Sequence, residues 1–101
     1  MSKVYGYCRL ALADEKGMAQ QVELIEDYCR DHSLTLDKCF CDTGVSGLNS
    51  YRDGLNEMLY AVQDDDTVIV RDMARFSRDI NQCMSLIELL EKLNVTLIII
   101  D

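Results

Sequence analysis

The sequence predicts an α/β fold: a three-layer, doubly wound, mostly parallel sheet in the order β-α-β-α-β-α-β. Three observations carry that reading. Four short apolar runs recur along the chain, and strands of that kind belong to sheets covered on both faces. The stretches between them show apolar residues at helical spacing and are long enough to cross back over a sheet. Finally, the 101 residues hold no proline, and 49% of them are hydrophobic. With no linker, repeat or low-complexity run to divide it, residues 1–101 form one domain, large enough for a core of its own.

Each element has its own signal. Residues 3–10, KVYGYCRL, mix aromatic and β-branched side chains in a strand-length run. A helix follows over Met18 to Ser33, with Met18, Val22, Ile25, Tyr28 and Cys29 on one stripe. Thr35 to Asp42 make the second strand, closed by the turn-rich TGVSGLNS. The second helix spans about Tyr51 to Gln63 and is expected to bury Leu55, Met58, Leu59 and Val62. DTVIVRD is the third strand. After MARFSR, a long helix from about Asp79 to Asn94 carries Ile80, Cys83, Met84, Ile87, Leu90 and Leu93 on its expected inner side. VTLIIID is the fourth strand.

In open α/β sheets ligands bind outside the carboxyl ends of the strands. By that rule Arg9, Arg52, Arg75 and Arg78 lie near one sheet edge, although the chain as a whole carries a net charge of −8. Guanidinium groups make planar, bidentate contacts to phosphate and stabilise charge that builds up during phosphoryl transfer. The acidic balance argues against general attraction to nucleic acid, so a phosphate-binding role rests on where the basic residues fall.

Other classes receive less support. The longest apolar run is far short of a membrane span, and the N-terminus MSKVYG has no signal-peptide character, so a cytoplasmic protein is expected. The five cysteines, Cys8, Cys29, Cys39, Cys41 and Cys83, match no zinc or disulfide framework. Cys39 and Cys41 share a strand face, but buried reduced thiols are the expected state, with no bound metal and no cofactor. His32, the single histidine, is expected at the surface or in a cap. Asp72 ends the third strand as a phosphoacceptor would. A receiver domain, however, needs carboxylates after strand one to hold magnesium, and Arg9-Leu10-Ala11 stands there.

The segments YCR at 7–9, DTGVSG at 42–47, YRDGLNEML at 51–59 and RDMARFSRD at 71–79 resemble those of the small serine recombinases, the resolvases and invertases. The resemblance runs over essentially the whole chain and implies the resolvase-like fold. It implies that Tyr7, Arg9 and Leu10 lead to the nucleophile position, which falls on Ala11 where the family has serine. It also implies that Arg52, Arg75 and Arg78 surround a scissile DNA phosphate, with Asp42 opening a loop and Gln21 on the first helix near the site. Ala74 stands where the family usually has aspartate. In the family, serine attacks the phosphate and the strands are exchanged without metal or nucleotide.

The implied function is thus that of a recombinase catalytic domain, inactive as written. The alternative is a non-catalytic regulatory or assembly domain that keeps the fold. Two absent polar groups at one site favour natural decay over an engineered change. The resemblance further implies homo-oligomers, together with a dimer-forming helix and a DNA-reading segment beyond residue 101.

Overall fold

The computed structural model describes residues 2–10, 15–43, 53–77 and 79–101. Ala11, Arg52, Arg78 and the TGVSGLNS loop beyond Thr43 lie outside the described residues. The elements are β1 (Val4–Leu10), α1 (Glu15–Asp31), β2 (Lys38–Thr43), α2 (Asp53–Ala61), β3 (Thr67–Val70), α3 (Ile80–Lys92) and β4 (Thr96–Ile99). A single 3₁₀ turn, Met73–Arg75, separates β3 from α3. The strand and helix order is the one the sequence predicts, and every described strand pair is parallel.

The sheet order is β2-β1-β3-β4. Strand order therefore reverses at β1: the chain first moves outward to β2, then crosses to the other side for β3. That reversal is the topological switch point, where the connections after β1 and β3 part and leave a crevice. Helices cover both faces. Side chains alternate along β1, so Tyr5 and Tyr7 face α2 and α3 while Cys8 faces α1. The first layer packs Leu55 and Met58 of α2 and Cys83 and Leu90 of α3 on the sheet. The second packs Ile25 and Cys29 of α1 on Cys8 and Ile69.

The expectation for α3 needs correction. Cys83 and Leu90 are buried, but Ile80 is 76% exposed, Met84 53% and Leu93 37%. The helix meets the core along a narrower line, through Cys83, Leu86 and Leu90. A stripe of apolar residues marks the inward direction of a helix but not how wide its contact is. One cysteine also departs from expectation, since Cys41 is exposed on the edge strand β2.

The helix ends follow local chemistry. Asp79 caps α3 by accepting from the Asn81 N–H at 2.8 Å. Asn94 turns left-handed (φ 58°) just past its C-terminus, as Ser33 (φ 57°) does after α1. His32 lies at the surface, with its ring stacked on Tyr28 at a centroid distance of 3.9 Å. No helix among the described residues is long and apolar enough to cross a membrane.

Candidate functional site

Arg9 is the sixth residue of β1, where the strand reaches the carboxyl edge of the sheet. It is in register with Asp42 of β2, and a side chain adds to the hold on its backbone. Gln21 Nε2 donates to the Arg9 carbonyl at 3.1 Å, and the Arg9 N–H donates to Gln21 Oε1 at 3.3 Å. A primary amide can mimic a peptide group in this way, with one donor and one acceptor. Gln21 is 2% exposed, so α1 docks a polar group in the core to hold the end of β1.

Arg75 arrives from the other side of the switch point, on the 3₁₀ turn after β3. Its Nη1 donates to the Arg9 carbonyl, and Arg9 Nη1 donates to the Ala74 carbonyl at 3.3 Å. Arg75 thus holds the end of β1, and Arg9 holds the 3₁₀ turn through Ala74, across the crevice. Arg75 Nε also donates to Asp72 Oδ1 at 3.2 Å, while Arg71 Nε donates to Asp72 Oδ2 at 2.9 Å. Burial disfavours ionisation of Asp72, but the Arg71 hydrogen bond and the Arg75 charge outweigh it and hold the carboxyl below its usual range. The Arg75 side chain is only 17% exposed, so its charge acts where water screens it poorly.

Tyr7 ties the two flanking connections to β1. Its hydroxyl donates to Asp42 Oδ2 at 2.7 Å, and its ring stacks on the fully buried Phe76 at a centroid distance of 6.0 Å. Asp42 in turn accepts from the N–H groups of Gly54 and Leu55, at 2.8 and 3.0 Å. The carboxylate therefore anchors the first turn of α2, where unpaired N–H groups and the helix dipole favour negative charge. Asp42 is 6% exposed and occupied by these contacts.

Of the residues singled out in the sequence, the structure gathers Arg9, Gln21, Ala74 and Arg75 at the switch point. Asp42 sits across β1 from them, at the base of α2. Two contributors went unrecognised in the sequence. Asp72 reads in the sequence only as a strand end, yet its spacing three residues before Arg75 is the signal for the pair. Phe76 had no signal beyond being apolar among polar neighbours.

Such a site fixes two guanidinium groups, each to a backbone carbonyl, at the point where parallel sheets bind ligands. Planar guanidinium donors of this kind fit phosphate.

The comparisons with known proteins agree with this architecture. A family model described as "Resolvase, N terminal domain" matches residues 4–101, and the chain belongs to that family. The Tn917 transposon resolvase of Enterococcus faecalis is 29% identical over 98 residues, covering 97% of this chain and 49% of the relative. A resolvase of Clostridium perfringens is 29% identical over 84 residues, covering 82% of this chain and 41% of the relative. The chain thus spans about half or less of the curated relatives it matches. Among solved structures, the N-terminal catalytic domain of TP901-1 integrase superposes with a TM-score of 0.84 at 19% identity, covering 98% of this chain and 78% of that one. A serine recombinase from Sulfolobus solfataricus gives a TM-score of 0.80 at 23% identity, covering all of this chain and 69% of that one. At these identities the structural likeness bears on the fold.

Proposed function

We propose that the chain is the catalytic domain of a site-specific DNA recombinase of the serine type, with cleavage disabled at position 11. The observation that carries this reading is the Arg9–Arg75 pair at the switch point, braced by Gln21 and Asp72. In the proposed state a DNA phosphate lies over these guanidinium groups, and Arg52 and Arg78, which follow β2 and the 3₁₀ turn in sequence, complete its surroundings. The attacking hydroxyl belongs two residues beyond Arg9, where Ala11 has none. The reaction draws on no metal or nucleotide: its energy stays in the phosphoserine link, and arginines stabilise the charge on phosphorus. DNA is the partner, joined in the whole protein by further copies of the chain and by a DNA-reading segment. The expected compartment is the cytoplasm.

Repair of the site tests this. Ala11→Ser supplies the nucleophile, and Ala74→Asp restores a carboxyl beside Arg75, a kind of contribution worth about 10²–10⁴-fold in proton transfer. In a protein extended by a family DNA-binding segment, the double variant should form more covalent protein–DNA adduct on denaturing gels than Ala11→Ser alone. Ala74→Asp alone should form none. An adduct formed by the unrepaired chain would remove position 11 from the nucleophile's role. Phosphate-dependent DNA binding without adduct in any variant would favour the non-catalytic assembly domain.

A further inference from the structure

On the sheet face opposite Tyr7, three thiols converge. Cys8 of β1 stands opposite Cys41 of β2 in the parallel register, and Cys39 stands opposite Gly6. Residues two apart in a strand share a face, so all three side chains point toward the α1 layer. Gly6 leaves room for this: a Cβ there would lie 3.0 Å from Cys39 Sγ. The Sγ atoms of Cys8, Cys39 and Cys41 all lie within 4.8 Å of one another, and Cys8 and Cys39 are 3.5 Å apart.

From these distances we infer a metal site: Cys8, Cys39 and Cys41 form a three-thiolate seat for one thiophilic d¹⁰ cation, Zn(II) or Cu(I). A metal–sulfur bond of about 2.3 Å sets ligand sulfurs about 3.8 Å apart around a tetrahedral ion and about 4.0 Å apart around a trigonal one. The observed cluster spans that range without rearrangement of the strands. Sulfur-only ligation selects soft ions over magnesium, calcium or manganese. The surroundings suit such a site. Cys8 is fully buried on the apolar layer that includes Ile25, while Cys41 is exposed and gives the ion a way in. As each metal–sulfur bond forms, a thiol releases its proton to solvent, and no electron is transferred. Zn(II) keeps a water as its fourth ligand on the Cys41 side, whereas Cu(I) is satisfied by three sulfurs. Bound metal would cross-link β1 to β2 one residue before Arg9 and Asp42, and so stiffen the strand ends that carry the phosphate site.

The test uses the 101-residue chain, fully reduced and metal-free under anaerobic conditions. Zn(II) and Cu(I) are titrated in separate experiments against a chromophoric chelator, and bound metal is counted after gel filtration. One equivalent of either ion is expected, with a rise in Tm, because a ligand that binds only the folded state stabilises it. Cys41→Ser, at an exposed position, and Cys39→Ser should weaken binding by at least ~10-fold, since losing a residue that merely supports a metal ligand already costs that much. Cys29→Ser and Cys83→Ser should bind as the parent does, with circular dichroism confirming that each variant is folded. Retention of neither ion by the reduced chain would overturn the inference, as would undiminished binding by folded Cys41→Ser. Failure to bind metal combined with ready Cys8–Cys39 disulfide formation in air would replace the metal site with a redox pair. None of these readouts involves DNA, so the inference stands or falls separately from the recombinase reading.

Discussion

Asp42 shows how one side chain can serve the site without touching a substrate. It holds the Tyr7 hydroxyl and the first N–H groups of α2 together, so the end of β2 and the start of α2 are fixed to each other. Gly54 makes that arrangement possible. A Cβ at position 54 would lie 2.9 Å from the Cys41 carbonyl oxygen and 3.0 Å from Asp42 Oδ1. Replacing glycine by alanine inside a helix ordinarily gains about 0.8–1.0 kcal/mol from propensity. Here the methyl group meets backbone that cannot swing away, and overpacking of that kind costs about 1–3 kcal/mol. The clash should win, because relieving it means breaking the Asp42 bonds. Gly54→Ala is expected to lower stability by up to about 2 kcal/mol, read as a lower urea midpoint with unchanged slope. A stabilised variant would mean that α2 can shift on the sheet.

The 3₁₀ turn after β3 is the element on which the site depends most, and Asp72 governs it. Its carboxyl bridges Arg71 and Arg75 and is held below the ordinary value of 3.8. A group whose pKa is lowered by folding adds stability above its unfolded value, and that contribution fades as pH falls through the folded value. Wild type should therefore exceed Asp72→Asn in stability by a constant margin from about pH 5 upward. The margin should shrink below that and vanish in acid, as followed by Tm across a pH series. A margin independent of pH would mean that the carboxylate charge contributes nothing and only the shape of the side chain matters.

The same turn marks the limit of what the sequence discloses. Parallel strands and their helices were legible because apolar runs and helical stripes repeat over many residues. Arg9 and Arg75 were legible as strand-end cations by topology alone. The bonds that orient them were not, because Gln21–Arg9 and Arg9–Ala74 link residues 12 and 65 positions apart. For the same reason the cysteine cluster escaped notice: Cys8 lies 31 residues from Cys39, and only strand register joins them. The exposure of Ile80 and Met84 was hidden because contact width depends on where a helix crosses the sheet.

At the scale of the whole molecule, a chain of net charge −8 is proposed to grip a polyanion through one small edge. Mean-field repulsion should make its affinity for duplex DNA low, while the local arginines still release counterions from the phosphates they meet. Each neutralised phosphate contributes about −0.9 to the slope of log K against log salt. If Arg52 and Arg78 join Arg9 and Arg75 as proposed, four arginines limit the slope to about −3.6, far from the steep dependence of proteins that cover a long stretch of backbone. Removing one of them with Arg75→Ala should make the slope shallower by about 0.9 and weaken binding to all sequences alike. Lys92→Ala, on the last turn of α3 and so at the opposite edge of the sheet, removes a charge of the same sign outside the cluster and should leave the slope nearly unchanged. Nuclear magnetic resonance titrations with a short duplex at several low salt concentrations would supply these slopes. Equal effects of Arg75→Ala and Lys92→Ala would mean that the chain senses DNA only through its overall charge, and that the arginine pair at the switch point holds no phosphate.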